Sequence, residues 1–515
     1  MGPLIATIAL LVAASGVAPF ARQTTRVPAA TATAMPRATD PRADQILKSI
    51  SPDRIAQYDT TLVGFGSRVS LSEGTSTATR GAEPARKWIV SQFQAIADTT
   101  GGRLKVSVDT FPVPKGNRIP ADQTMSNVVA VLPGTDPNDK RIFVVSGHYD
   151  SIPADFTQDA PGANDDASGT IVSLECARAL SAFQFPATIE FLAVEGEEQG
   201  LYGSKHAADA LKAAGADIAG MLNNDIVGGD QTPGRENRDL LRVFSQGVPA
   251  KATPQEIATI ASQSLENDSA SREVARYASA LAEQYLPGFH VVLEYRPDRF
   301  QRGGDEESFV DDGYAAVRFT EFNENSNHQH VPVREVNGIE MGDRQKWVSP
   351  AYIANVARVN ALTLAWLASS PPPPEHVTFQ AGQQATGTAV TWTAVPGAVS
   401  YRVLMRPTAE SEWTIRLPAP AVPAPARGAG GGRGAGGGDT TDAGSASAGT
   451  VPPAAETAQA SATAPAGPTY QVTVPQSGDS YFIAIVAVDA AGHESLPRLA
   501  APPPRGRRGG GAGGL

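Results

Sequence analysis

The 515-residue chain holds one cysteine, Cys176, so an intrachain disulfide, a thiol-based zinc finger and a redox pair are all excluded. Cys176 falls on the apolar face of a predicted helix, where it reads as a small core residue. Histidine is almost as scarce, with 7 in the whole chain. Positive charge is short as well. Lys and Arg number 42 against 53 Asp and Glu, a net charge of −11, which argues against nucleic acid and anionic membrane as partners. Neither the G-x-S-x-G elbow of serine hydrolases nor the H-E-x-x-H helix of many zinc proteases occurs. The N-terminal apolar stretch Leu4–Ala14 is too short to span a bilayer well and resembles the core of a secretory signal. No Lys or Arg precedes it, and no cysteine is available for a lipid anchor. Residues 1–22 are therefore expected to be a signal peptide, the protein secreted or periplasmic, and the mature chain without a membrane span.

Glycine and proline are plentiful, at 50 and 41, too many for one compact domain. Residues 23–40 read as a Thr/Ala/Pro linker. Residues 41–370 alternate strand and helix patterns, with helices at Ala43–Tyr58, Pro84–Ala97, Ser168–Phe183, Lys205–Ala214, Ala275–Tyr285 and Tyr352–Leu367. Between them run the strands Arg103–Val113, Met125–Leu132, Ile142–Val145, Thr188–Val194, Phe289–Tyr295 and Ala315–Phe319, and a short one ending at Asp225. Residues 228–270 give no clear pattern. The alternation predicts an α/β fold, a mixed and mainly parallel sheet with helices on both faces. A proline linker at 371–375 stops the last helix. Short strands at His376–Phe379, Ala389–Trp392, Tyr401–Met405, Trp413–Ile415, Tyr470–Val474 and Tyr481–Val488 predict a small β-sandwich over 376–500. An Ala/Gly/Pro-rich insertion at about 418–468 and the tail 501–515 are expected to be disordered.

The chemistry concentrates at strand ends, where ligands bind in open α/β sheets. The run Ile142–Val145 leads into His148-Tyr149-Asp150, and Asn164-Asp165-Asp166 opens the next helix. Glu195-Gly196-Glu197-Glu198 follows Thr188–Val194, and Asn223-Asn224-Asp225 follows another apolar strand. Asn327-His328-Gln329-His330 comes soon after the strand that ends near Phe319. Each cluster has a plainer explanation. Asp165-Asp166 suits a helix N-cap, the glutamates suit a solvated turn, and His206, His290, His376 and His493 suit structural roles, His290 in the core. Four carboxylate or imidazole clusters at the ends of strands of one sheet point instead to a cation site.

In this order, HYDS, PGANDDASG, AVEGEEQGLYGS, NND, RGGDEESF and the late histidine resemble the M28 family of zinc peptidases over residues 80–370. That family contains secreted bacterial aminopeptidases with two zinc ions. The resemblance implies metal ligands at His148, Asp165, Glu198, Asp225 and His330, with Asp165 bridging two Zn2+ ions. It also implies Glu197 as general base and Asp150 as the acceptor of the second ring N–H of His148. His328 is the alternative to His330, because the family's usual residues after this histidine give way here to Val331-Pro332. Glu306 stands where many relatives have histidine, and the role of Asp305 is open. The expected activity is hydrolysis of peptides or proteins by a monomer, most simply as an aminopeptidase. A carboxypeptidase, a glutaminyl cyclase relative and a non-catalytic binding protein are the alternatives. The C-terminal module resembles a fibronectin type III domain through Trp392, Tyr401-Arg402-Val403 and Tyr481–Asp489, and is expected to be a spacer or adhesive appendage.

Overall fold

The structure is a computed structural model describing residues 38–71, 76–152, 159–249, 251–300, 302–379, 387–419, 422–423 and 468–502. The expected signal peptide, most of the first linker, most of the low-complexity insertion and most of the tail lie outside these residues.

Eight strands form one sheet: β1 (Lys105–Val113), β2 (Gln123–Leu132), β3 (Arg141–His148), β4 (Thr188–Val194), β5 (Asp217–Asn224), β6 (Leu240–Ser245), β7 (His290–Glu294) and β8 (Ala316–Glu321). Their order across the sheet is β1-β2-β4-β3-β5-β8-β6-β7. The central run β4-β3-β5-β8 is parallel, as is β6 with β7, while β1/β2, β2/β4 and β6/β8 are antiparallel. The mixed, mainly parallel sheet is as expected.

The apolar runs of the middle strands follow from burial on both faces. Along β3, Phe143 and Val145 pack into a core shared with the helices α1 (Arg42–Ser49), α2 (Pro52–Gly64), α3 (Ala82–Thr99) and α4 (Ser168–Leu180). Val144, between them, points the other way, into a core under α5 (Tyr202–Ala213). The remaining helices are α6 (Pro254–Gln263), α7 (Ala270–Tyr285), α8 (Glu306–Asp311) and α9 (Pro350–Ser369). Helices α7 and α9 join the first core, and Phe309 and Val310 of α8 join the second.

Several boundaries move. The single helix expected over Ala43–Tyr58 is two, because Ser51 caps α2 and Pro52 has no N–H to continue α1. Strand β6 lies inside the unreadable 228–270 stretch, since its hydrophobic alternation is interrupted by Arg242, whose guanidinium leaves the sheet to bond Glu321 O and the Glu324 carboxylate. His290 begins β7 but is not core. Its ring is 47 % exposed and pairs with Glu283.

The C-terminal strands follow a hairpin of β9 (Arg334–Val336) and β10 (Ile339–Met341). They are β11 (Thr378–Phe379), β12 (Thr388–Thr393), β13 (Ser400–Pro407), β14 (Ile415–Ala419), β15 (Val422–Pro423), β16 (Thr469–Val474), β17 (Tyr481–Val488) and β18 (Arg498–Leu499). They make two four-stranded sheets, β11-β12-β16-β15 and β14-β13-β17-β18. Trp392 and Val390 of one meet Val403, Met405 and Ile485 of the other in a shared core. The insertion expected from 418 begins later, because Pro418, Ala419, Val422 and Pro423 are within strands. Trp413 precedes β14 rather than starting it, and its indole N–H reaches Glu273 of α7 at 3.1 Å.

The module is seated rather than tethered. Tyr277 donates to Glu494 O at 2.8 Å. Arg406 grips both oxygens of Asp268 at 2.7 Å. Asp40, placed in the linker from sequence, is buried, and its carboxylate meets His493 at 2.7 Å. Arg42, held by the same carboxylate, keeps it ionised against the pull of burial, and Asp40 is lowered to about 2.

Candidate metal centre

Strands β4, β3 and β5 are parallel neighbours, so their carboxyl ends lie side by side and deliver three loops to one edge. His148 is the last residue of β3, Glu195–Glu198 follow β4, and Asp225 follows β5. Two more residues arrive from elsewhere. Asp165 comes from the turn before α4, and His330 from the loop after β8. Glycine permits the first approach. A Cβ on Gly147 would stand 2.2 Å from the Gly169 carbonyl carbon, and one on Gly169 would stand 2.0 Å from Asn224 O. Only bare backbone lets the start of α4 press against the strand ends.

The two carboxylate oxygens of Asp165 face different imidazoles. Oδ1 is 3.2 Å from His148 Nε2, and Oδ2 is 3.0 Å from His330 Nε2. Asp225 Oδ1 stands 3.7 Å from His148 Nε2, and Glu198 Oε2 stands 3.1 Å from His330 Nε2. Each imidazole thus shares Asp165 and has one carboxylate of its own. Glu197 Oε2 is 4.0 Å from His148 Nε2, beside this arrangement.

Asp166 shows that the capping explanation was right for one of the two aspartates. Its Oδ1 accepts from Gly169 N at 2.8 Å, and its Oδ2 accepts from His148 N at 3.0 Å. Asp150 is nearest His148 through its main-chain oxygen, 3.1 Å from Nδ1, with its carboxylate at 3.6 Å. That carboxylate also accepts from Glu198 N at 3.3 Å, which ties the β3 and β4 loops together.

Burial works against every charge here, and the neighbours decide the outcome. Asp165, flanked by His330 and His148, is held well below the usual carboxylate range despite its burial. Asp225 is lowered too, because Arg318 and His148 outweigh burial. Glu198 is pushed up to about 7 by burial and by Asp165. Burial, then Asp225, Glu198 and Asp305, raise Glu197 well above its ordinary value. His330 rises to about 11, since Asp165 and Glu198 overcome its desolvation.

The other candidates stand apart. His328 is buried against Trp347, ring centroids 4.2 Å apart, with Nδ1 on the Asp230 carboxylate. His206 stacks on Phe111 and pairs with Asp109 at 3.1 Å. His493 binds Asp40 and Asp489. Asp305 is buried near the centre, raised to about 6 by that burial. Burial likewise raises Glu306 to about 8, and its carboxylate accepts from Asn223 Nδ2 at 3.0 Å.

Three supporting residues escaped the sequence reading. Asp343 accepts from the main-chain N–H groups of Asn164 and Asp165, each at 2.7 Å. Arg68, fully buried, donates to Tyr149 O at 2.6 Å and Gly162 O at 2.8 Å, clamping both ends of the loop between His148 and Asp165. Arg318 donates to Asp225 Oδ2 at 2.8 Å and to Asp298 at 2.5 Å. A charged residue inside the apolar strand AVRFTE was the one available signal, and it pointed to Arg318.

His148 Nε2, Asp225 Oδ1 and Glu198 Oε1 are among the buried polar atoms of the described residues that have no hydrogen-bond partner. Buried polar atoms are rarely left so. Imidazole nitrogens and carboxylate oxygens converging with lone pairs unclaimed are what a divalent cation of borderline softness takes. The set fits zinc. A cavity of about 310 Å³ opens onto it, lined by Asp165, Glu197, Glu198, Asp225 and His330 together with Arg118, Leu201, Arg302, Gly303 and Glu307.

A family model described as "Peptidase family M28" matches residues 127–348. A "probable zinc metalloprotease" of Pyricularia oryzae is 42% identical over 384 residues, covering 72% of this chain and 76% of the relative. Another, from Pyrenophora teres f. teres, is 40% identical over 393 residues, covering 74% and 80%. Among solved structures, the aminopeptidase from Aneurinibacillus sp. strain AM-1 aligns with TM-score 0.45 and 18% identity, over 63% of this chain and 96% of its own. Fimbriiglobus ruber glutaminyl cyclase aligns with TM-score 0.43 and 20% identity, over 61% and 95%.

Proposed function

Because this chain belongs to peptidase family M28 and is a zinc metallopeptidase, we propose that it is an exported aminopeptidase working with two zinc ions. The observation that carries the count of two is the division of Asp165, one oxygen toward each imidazole at 3.2 and 3.0 Å. His148 and Asp225 would hold one ion with it, and His330 and Glu198 the other. Zinc at such a site supplies Lewis-acid polarisation of the scissile carbonyl and acidifies a water.

The remaining work belongs to the chain. Glu197 takes the proton from the attacking water and passes it to the leaving nitrogen. Its carboxylate, raised above its ordinary value by burial and acidic neighbours, has the basicity that taking up a proton asks for. Arg318 occupies Asp225 Oδ2 and so keeps Oδ1 turned toward His148. Asp343 fixes the main chain at Asp165. Export rests on the apolar run Leu4–Ala14.

The test is a metal count joined to product analysis. Purified protein should hold two zinc ions per chain and release N-terminal residues from unblocked peptides; one ion per chain, or release from the carboxyl end, would overturn the reading. His330→Ala should lower the count to about one, whereas His328→Gln should leave it at two.

Zinc and protons compete for the same atoms. In the metal-free protein His330 sits at about 11, above the unfolded imidazole value of about 6.5. Its ion pair with Asp165, which stays ionised, therefore stabilises the fold fully below about pH 6.5, and that contribution is lost as pH rises toward about 11. Melting temperatures of chelated protein should fall between pH 6.5 and 9.5, while zinc affinity rises over the same window because fewer protons must be displaced. A chelated melting point that climbs with pH would contradict the pairing.

A further inference from the structure

Most charged groups lining the cavity already have a task. Asp165, Glu198, Asp225 and His330 belong to the zinc site and Glu197 to proton transfer. Arg318 is held by Asp225 and Asp298. Arg302 donates to Gln329 at 3.2 Å and lies 3.5 Å from Glu324. Two lining residues have no hydrogen-bond or ion-pair partner for their charged groups among the described residues, the half-buried Glu307 and the exposed Arg118.

Glu307 is the better placed of the two. It lies in the first turn of α8, and its carboxyl group folds over the loop at Gly303, where a Cβ would fall 2.5 Å from the carboxyl carbon. The missing side chain makes room for the carboxylate. Gly303 O in turn accepts from Arg318 at 2.5 Å, and Arg318 holds Asp225 at 2.8 Å. The carboxylate is thereby braced against the same frame that positions the zinc-facing edge. Burial, then Asp298 and Asp311, raise the Glu307 carboxyl above its ordinary value, with Arg318 offsetting them in part. A cation docking here would relieve that repulsion, and its pairing would be screened less than one at exposed Arg118.

The cavity also has a size. At about 310 Å³ it lies at the small end of ligand pockets, enough for the end of a peptide.

We propose that Glu307 receives the α-ammonium group of the peptide substrate and is the residue that restricts the site to unblocked amino termini. The proposal rests on the peptidase reading and names its substrate class. Arg118, at the exposed side, does not select the amino end.

The test uses the zinc-loaded full chain with Leu-Ala-Ala and its Nα-acetyl derivative. Wild type should prefer the unblocked peptide. Glu307→Gln should raise KM for it about ten- to hundredfold, the range for losing one hydrogen bond to a charged group. It should leave kcat within about threefold and shrink the preference over the acetylated peptide, because only recognition of the free end is removed. Glu307→Asp should recover part of the loss, and Arg118→Gln should leave the preference unchanged. Folding should be unaffected, since Glu307→Gln keeps the side chain's size and removes a charge that makes no hydrogen bond or ion pair among the described residues. A readout without turnover is calorimetric binding of Leu-Ala-Ala to the zinc-loaded Glu197→Gln chain. Adding Glu307→Gln should weaken it by a similar factor and leave the acetylated peptide unchanged. An unaltered KM, an equal fall for both peptides, or a preference lost in Arg118→Gln instead would overturn the assignment. Equal hydrolysis of both peptides by wild type would do so while sparing the peptidase reading; hydrolysis of neither would remove both.

Discussion

Glu197→Gln should lower kcat by about 10²- to 10⁴-fold, the usual worth of a positioned acid–base group, and leave two zinc ions bound. The substitution keeps the side chain's size and its place beside His148 while removing the basic oxygen. Glu197 Oε2 stands 4.0 Å from His148 Nε2, whereas the oxygens of Asp165 and Glu198 proposed as ligands lie 3.0 to 3.2 Å from an imidazole nitrogen. Asp225 Oδ1, at 3.7 Å from the same nitrogen, is intermediate, and it is assigned to the metal because it is buried and unpartnered. A proton acceptor must stay off the metal to keep its lone pair free. Metal analysis and steady-state kinetics on one preparation separate the roles. Zinc lost together with activity would make Glu197 a ligand, and unchanged turnover would remove it from the chemistry.

Arg406→Ala should destabilise the protein by about 3–5 kcal/mol, the cost of leaving a buried charge without its partner. Arg406 is 1% exposed, and both oxygens of Asp268, 2% exposed, accept from it at 2.7 Å. Its guanidinium also lies 4.1 Å from the Phe482 ring centroid, so truncation removes packing as well as charge. The pair joins β13 to the segment before α7, which makes the C-terminal module part of the fold's stability. Combining Arg406→Met with Asp268→Leu should restore much of the loss, because a buried pair replaced whole by apolar groups is often neutral. Urea unfolding followed by circular dichroism measures both. A loss below about 1 kcal/mol would mean that the contact is as weak as a surface pair.

What the sequence showed was the edge where the candidate ligands converge, and it showed it through position. His148, Glu197, Glu198 and Asp225 each stand directly after an apolar run, and a polar residue in that place is either solvated or functional. By residue type alone Asp165 and Asp166 look alike, because a helix cap and a metal ligand ask for the same kind of side chain; the family resemblance pointed to Asp165. The fold separates them, turning Asp165 toward the imidazoles and Asp166 toward the amides of Gly169 and His148. His328 and His330 were similarly open. Asp230 and Trp347 claim the first, and the loop carries the second, at φ 52°, to Asp165 and Glu198.

Pattern along the chain therefore determined the α/β class, the family and most of the residues at the centre, because strand ends and glycine-flanked carboxylates are local features. Only the tertiary structure showed which of two neighbouring residues faces the other candidate ligands, what braces it, and how the C-terminal module sits. Arg68, Arg318, Asp343 and Arg406 act on partners from 20 to more than 170 residues away. A contact closed across such a distance leaves no periodicity for a sequence to display.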